Sequence, residues 1–214
     1  MRRQSLNEAK YILAVLGAIW LLTLLVFPLL SVFAAIAILF TLFFFRDPKR
    51  LPPADDNLAV SPADGVVVAV EECDGDGLIH GPVKRVVIFL SVFDVHINRT
   101  PIAGEITHSE AALGTYLDAR NPLSSAKNAR RTWVIRSADC EVVVRQITGA
   151  IARRIVAWRQ VGDTLKRGQR FGMIRFGSRT EVDFPSHVEI LIAVGQRVKG
   201  GETAIANIRG ARTV

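Results

Sequence analysis

Cysteine is nearly absent from this chain of 214 residues. Cys73 and Cys140 are too few and too isolated for a disulfide framework or a cysteine-rich metal site, and they read as reduced thiols of a cytosolic domain. Histidine is sparse as well: His80, His96, His108 and His187 show no His-x-x-x-His or Cys-x-x-Cys spacing, so no metal is expected. The most telling absence is of charge, since no Asp, Glu, Lys or Arg occurs from Tyr11 to Phe45. Such a run is far too long for an ordinary core helix, and it sets the chain in or against a bilayer. No small-residue cleavage site precedes Arg46, so the run does not read as a signal peptide.

What the chain has in excess is positive charge, formally +7, alongside hydrophobic residues at 50%. A basic balance favours an anionic partner, nucleic acid or membrane, and the uncharged run decides for membrane phospholipid and against nucleic acid. A single span takes roughly 20 residues and two take about 40. The run falls between these lengths, with Pro28 near its centre. Arg2, Arg3 and Lys10 before it and Arg46, Lys49 and Arg50 after it favour a hairpin bent at Pro28 with both ends cytoplasmic. One long tilted helix, kinked at Pro28, is the alternative and would set the two flanks on opposite sides.

Residues 1–50 therefore read as a membrane-anchoring segment, linked by Pro52-Pro53-Ala54-Asp55-Asp56 to a domain over 51–214. That domain reads as mainly β within an α+β chain. Strands are predicted at Val66–Val70, Val83–Val92, Trp133–Ile135, Glu141–Ile147, Arg154–Arg159, Met173–Phe176 and Val188–Ala193, all rich in β-branched and aromatic residues. Thr107–Ala119 reads as a short helix or an irregular loop. A weak repeat sets Val161–Gln169 against Val194–Glu202 at an offset of 33 residues, each a strand-turn-strand unit. The pattern resembles the hairpins of biotinyl and lipoyl carrier domains and predicts a β-sandwich built from two related hairpins. Lys166 and Lys199 lack the flanking motifs of a modified carrier lysine.

Reactive chemistry concentrates at Gly177-Ser178, set in Arg175-Phe176-Gly177-Ser178-Arg179-Thr180-Glu181-Val182-Asp183-Phe184-Pro185. By itself a Gly-Ser pair is an ordinary turn. Glycine, however, permits the φ > 0 backbone that exposes its carbonyl, and the serine brings a hydroxyl beside it. An N→O acyl shift would turn the peptide bond into an ester, and β-elimination would leave dehydroalanine at the head of the C-terminal fragment. Hydrolysis would then release ammonia and leave a pyruvoyl group. That ketone can form a Schiff base with an amine and accept the electrons left by departing carbon dioxide.

The segment from Arg175 to Pro185 resembles the cleavage segment of the short-form phosphatidylserine decarboxylases. Two further segments carry the resemblance. Ser61-Pro62-Ala63-Asp64-Gly65 is similar to the family's Pro-x-Asp-Gly motif, and Phe93-Asp94-Val95-His96-Ile97-Asn98-Arg99-Thr100-Pro101 to its Asp-x-His motif. The resemblance implies that Asp64 belongs to the self-cleavage machinery, orienting an imidazole that takes the proton from Ser178. Without it, Asp64-Gly65 is a β-turn. It also implies that His96 is the acid/base, protonating the substrate α-carbon and helping to activate Ser178. Arg99 stands where longer members carry a second histidine, and its planar fork suits a substrate phosphate or carboxylate. Asn128-Ala129-Arg130 occupies the place of an Asn-Glu-Arg motif, with alanine for glutamate. With Lys127 and Arg131, Arg130 faces either a lipid phosphodiester or solvent.

Together these similarities imply decarboxylation of phosphatidylserine to phosphatidylethanolamine by a pyruvoyl group made from Ser178. Residues 1–177 would be the β subunit and 178–214 the α subunit, held together noncovalently, with the catalytic domain on the cytoplasmic side of the cell membrane. A membrane-tethered biotinyl-type carrier or scaffold and an uncleaved acidic-lipid-binding protein are the competing readings. Both require an intact chain.

Overall fold

The computed structural model describes residues 3–150, 154–175 and 177–209. The chain divides into two compact units, Met1–Pro48 and Lys49–Val214. In the first, the uncharged run forms α1 (Arg3–Val26) and α2 (Pro28–Phe44). The break falls where proline puts it: Phe27 leaves the helical region at φ −138, and Pro28 opens α2, where a backbone donor has no intrahelical partner to lose. Ser5 and Leu6 share a small cavity with Leu42 and Phe45, so α2 runs back along α1. α1 is long and apolar enough to cross a membrane; α2 is apolar but shorter.

The second unit is mainly β. Its first half comprises β1 (Leu58–Val60), β2 (Gly65–Asp74), β3 (Pro82–Leu90), β4 (Ile97–Arg99), β5 (Gly104–Ala112), the short α3 (Ser124–Lys127), β6 (Arg130–Arg136) and β7 (Glu141–Ile147). There follow β8 (Arg154–Ala157), β9 (Thr164–Leu165), β10 (Arg170–Arg175), β11 (Ser178–Pro185), β12 (Glu189–Ile190), β13 (Arg197–Val198) and β14 (Ala204–Asn207). Thr107–Ala112, expected as helix or loop, is strand: edge pairing with β6 overrides its weak local preference, and only the remainder to Ala119 is irregular. The strand expected at Val188–Ala193 shrinks to Glu189–Ile190, and Phe176 lies outside the described residues.

Strand order exposes a duplication larger than the nine-residue repeat. The eight-stranded curled sheet runs β13-β2-β3-β11-β7-β6-β5-β9, flanked by the three-stranded sheets β1-β14-β12 and β4-β10-β8. Read from either end, β13, β2, β3 and β11 match β9, β5, β6 and β7. One half is thus the continuous stretch β4 to β10, and the other joins β1–β3 to β11–β14. The turns match as well: Gly162 and Gly195 sit at φ +91 and +89, and Gly168 and Gly201 at +73 and +78. Gly162 N donates to Ile106 O at 2.8 Å, as Gly195 N does to Val67 O at 2.8 Å. The Gly177-Ser178 bond lies between the last strand of the continuous half and the strand where the chain re-enters the other.

The core fills one face of the large sheet. Trp133 is fully buried, edge-on to Phe171 at 5.2 Å between centroids, among Val67, Val86, Ile88, Leu90, Val182 and Phe184. The opposite face buries charge beside a small apolar cluster of Ile79, Val83, Val134 and Val143. Asp183 takes Arg85 at 2.7 and 2.9 Å and Arg145 at 2.7 Å, and Arg145 also reaches Asp76 at 2.6 Å.

Candidate active site

Gly177 has φ +66, in the left-handed region where a side chain would be strained, and the strain-free glycine lets the chain turn sharply from β10 into β11. Ser178 opens β11 opposite Leu90. Strand alternation puts Ser178 and Thr180 on the face of Val182 and Phe184, toward the core. Ser178 is fully buried, and among the described residues its Oγ has no hydrogen-bond partner. A buried hydroxyl left in that state costs about 1–3 kcal/mol, a cost native structures tolerate where the group has work to do.

A chain of buried polar side chains holds β4 to this strand. Trp133 Nε1 donates to Gln146 Oε1 at 2.8 Å, Gln146 Nε2 to Asn98 Oδ1 at 2.8 Å, and Asn98 Nδ2 to Thr180 Oγ1 at 3.1 Å. This fixes His96, two residues before Asn98, against the start of β11. His96 is fully buried, and its Nε2 accepts the Gly177 N–H at 3.1 Å. Nε2 therefore carries a lone pair, so the ring proton is on Nδ1, which donates to Asp94 O at 3.0 Å. The imidazole is neutral in this arrangement, with its basic nitrogen turned to the glycine of the Gly-Ser bond. Asp94 in turn holds the loop, accepting from Ser91 N at 2.8 Å, Ser91 Oγ at 2.7 Å and Arg197 Nη1 at 2.8 Å.

A cavity of about 350 Å³ opens on Gly177, lined by Leu90, Ser91, Val92, Ala119, Arg120 and Gly149 among others. Gly149 makes this close approach possible: a Cβ there would lie 2.6 Å from the Gly177 carbonyl oxygen. Arg120 is the cavity's cation, doubly bonded to Asp118 at 3.1 and 2.7 Å. Hydrogen bonds from the Arg120 side chain and backbone hold the Asp118 carboxyl down to about 2, so the pair is fully charged at neutral pH. Among the described residues no group of three His, Cys, Asp or Glu side chains gathers as a metal site.

The phosphatidylserine decarboxylase family model matches residues 37–206. The chain belongs to that family. It is 43% identical over 205 residues to the phosphatidylserine decarboxylase proenzyme of Carboxydothermus hydrogenoformans, covering 95% of this chain and 96% of that one. Identity to the proenzyme of Symbiobacterium thermophilum is 44% over 210 residues, covering 97% and 98% of the two chains. With that of Gluconacetobacter diazotrophicus it is 47% over 173 residues, 79% of this chain and 77% of the other. The chain is accordingly a decarboxylase of phosphatidylserine, a lyase of phospholipid biosynthesis whose family is made as a proenzyme.

Against that family pattern the sequence-derived residues separate. Gly177, Ser178 and His96 come together at one place. Asp64 takes Arg50 at 2.7 Å and Gly200 N at 2.8 Å, and His96 Nδ1 donates to the Asp94 carbonyl at 3.0 Å. Arg99, expected at a substrate anion, is buried with Nη1 on Gly168 O at 3.1 Å, because alternation along β4 sends it to the face opposite Asn98. Arg130 likewise lines a different cavity, with Asp76 and Glu110, and donates to Ala126 O at 3.1 Å. Asn128 is structural, pinning Leu117 through its N–H at 2.8 Å and its carbonyl at 2.8 Å. Gly149 and Arg120 carried no motif in the sequence, and only the fold brings them to Gly177.

Proposed function

We propose that the chain matures by cutting itself between Gly177 and Ser178, and that Ser178 becomes the pyruvoyl group on which decarboxylation depends. The observation that carries this is the buried, unpartnered Oγ of Ser178 beside a glycine at φ +66 whose N–H lies on His96 Nε2. Ser178 Oγ adds to the Gly177 carbonyl carbon while His96 takes its proton, and the C–N bond breaks to leave an ester and a free amine on residue 178. Loss of the Cα proton and of the Gly177 carboxylate leaves dehydroalanine. Water then replaces its nitrogen, which departs as ammonia. The resulting ketone supplies an electrophile for the substrate amine and a sink for the electron pair freed with carbon dioxide.

His96, buried beside the same residue, returns a proton to the carbon that loses carbon dioxide. Asp64 acts as a positioning residue: tied to Arg50 and Gly200, it anchors the turn whose Pro62 carbonyl accepts Arg99 N at 2.9 Å and Asn98 Nδ2 at 3.4 Å, beside His96. Arg120, in place of Arg99 or Arg130, offers its guanidinium to the substrate's carboxylate or phosphate. Residues 1–177 and 178–214 stay together because β11 pairs with β3 and β7 in the middle of the sheet and Asp183 keeps Arg85 and Arg145. The α1–α2 hairpin enters the cell membrane from the cytoplasmic side, as the cations on both flanks favour, and 51–214 works in the cytoplasm. At the level of fold, we propose that the paired hairpins at 161–169 and 194–202 are built like those of biotinyl and lipoyl domains, a reading supported by their matching glycine turns.

Ser178→Ala tests this directly: it stays one chain and releases no carbon dioxide, whereas His96→Ala loses decarboxylation even if some cutting survives. A Ser178→Ala chain still cut at this bond, or a fully active His96→Ala enzyme, refutes the assignment.

A further inference from the structure

The end of the large sheet that holds Gly177 also gathers three loops. Leu90 pairs with Ser178, Ile147 with both Arg179 and Arg130, and Arg130 with Ala112, so residues 91–95, 113–129 and 148–150 all leave the sheet at that end. Two of these loops carry large apolar side chains left open to solvent. Leu113 is 100% exposed, Phe93 67%, Leu123 53% and Tyr116 42%. The longer loop is built rather than slack: Thr115 N bonds Lys127 O at 2.7 Å, Ala129 N bonds Thr115 O at 3.0 Å, and buried Asn128 ties Leu117 to Thr148 O. Its cations, Arg120 and Lys127, face one carboxylate, Asp118, already paired to Arg120 and leaving Lys127 unbalanced.

Apolar tips beside an unbalanced cation suit an interfacial membrane contact, since apolar burial and attraction to anionic headgroups act together. We infer that this projection is a second membrane contact, belonging to the catalytic unit itself. Leu113, Tyr116, Leu123 and Phe93 enter the interface of an anionic bilayer around the mouth of the Gly177 cavity. Ala119 and Arg120, on the same projection, form part of that mouth. A headgroup then reaches Gly177 without its acyl chains leaving the leaflet. The inference rests on Gly177-Ser178 being the reaction site.

The test uses the full chain in vesicles containing phosphatidylserine, with Leu113→Ser and Leu123→Ser combined. Both side chains are exposed, so the substitutions remove little packing. Three quantities are read: formation of fragment 178–214, carbon dioxide from bilayer phosphatidylserine, and carbon dioxide from a short-chain phosphatidylserine dissolved as monomers. The fragment should form as in the parent, the bilayer rate should fall about tenfold, and the short-chain rate should stay within about twofold. An unchanged bilayer rate, or both rates falling together, overturns the inference. Absence of the fragment in the parent would instead overturn the underlying reading of the site.

Discussion

Gly149→Ala places one methyl group against the bond that is to be cut. The new Cβ would lie 2.6 Å from the Gly177 oxygen and 3.2 Å from Ala119 Cβ. Carbon and oxygen in contact keep about 3.3 Å, so the carbonyl has to move by roughly 0.7 Å. Backbone strain at residue 149 itself does not enter, because Gly149 lies outside the left-handed region. Attack by Ser178 Oγ needs its target within about 3–3.5 Å and aligned, and misplacement by about 1 Å costs on the order of a hundredfold. Cutting should therefore slow between about tenfold and a hundredfold. The assay is a time course of fragment 178–214 on denaturing gels during refolding. Gly162→Ala is the control: at φ +91 with nothing within 4 Å, it costs stability but leaves the Gly177 carbonyl where it is. A folded Gly149→Ala chain that cuts at the parental rate, or a Gly162→Ala chain slowed equally, would refute the reasoning.

Asp183→Asn leaves Arg85 and Arg145 facing each other with their shared carboxylate gone, and should destabilise the protein by about 3–5 kcal/mol in urea titrations. An unchanged midpoint would show that the buried pairs add nothing. Burial and the neighbouring Glu141 carboxylate push the Cys140 thiol from 9.0 up to about 11. The folded state then keeps a proton that the unfolded state loses, so this stability is complete below about pH 9 and disappears as pH rises toward 11. The loss is at most about 2 kcal/mol after solvent screening. Cys140→Ala should flatten that alkaline decline, and a decline as steep as the parent's would contradict the assignment.

The parts of the site that the sequence displayed are those whose chemistry is local. Gly177 and Ser178 are neighbours, and glycine takes a φ of +66 without strain. His96 was marked by its surrounding motif. Its tautomer was not, because that depends on Asp94 O and on Gly177, 81 residues away. Gly149 and Arg120 reach the cavity only because β5, β6, β7 and β11 end side by side, a fact of pairing that no spacing encodes. Residue type suits Arg99 and Arg130 to an anion, and strand parity sets one beside Gly168 and the other in the Asp76 cavity, placements no spacing encodes. The hairpin repeat was visible as glycines 33 residues apart, yet the halves it belongs to were hidden, since one of them is assembled from both ends of the domain.

The claim that Ser178 is converted by the chain's own chemistry is tested most directly by the mass of the C-terminal fragment after membrane extraction. The account predicts fragment 178–214 with a pyruvoyl group in place of Ser178 and no free amino terminus. A single full-length chain after time for maturation, or a fragment that begins with intact serine, would contradict it.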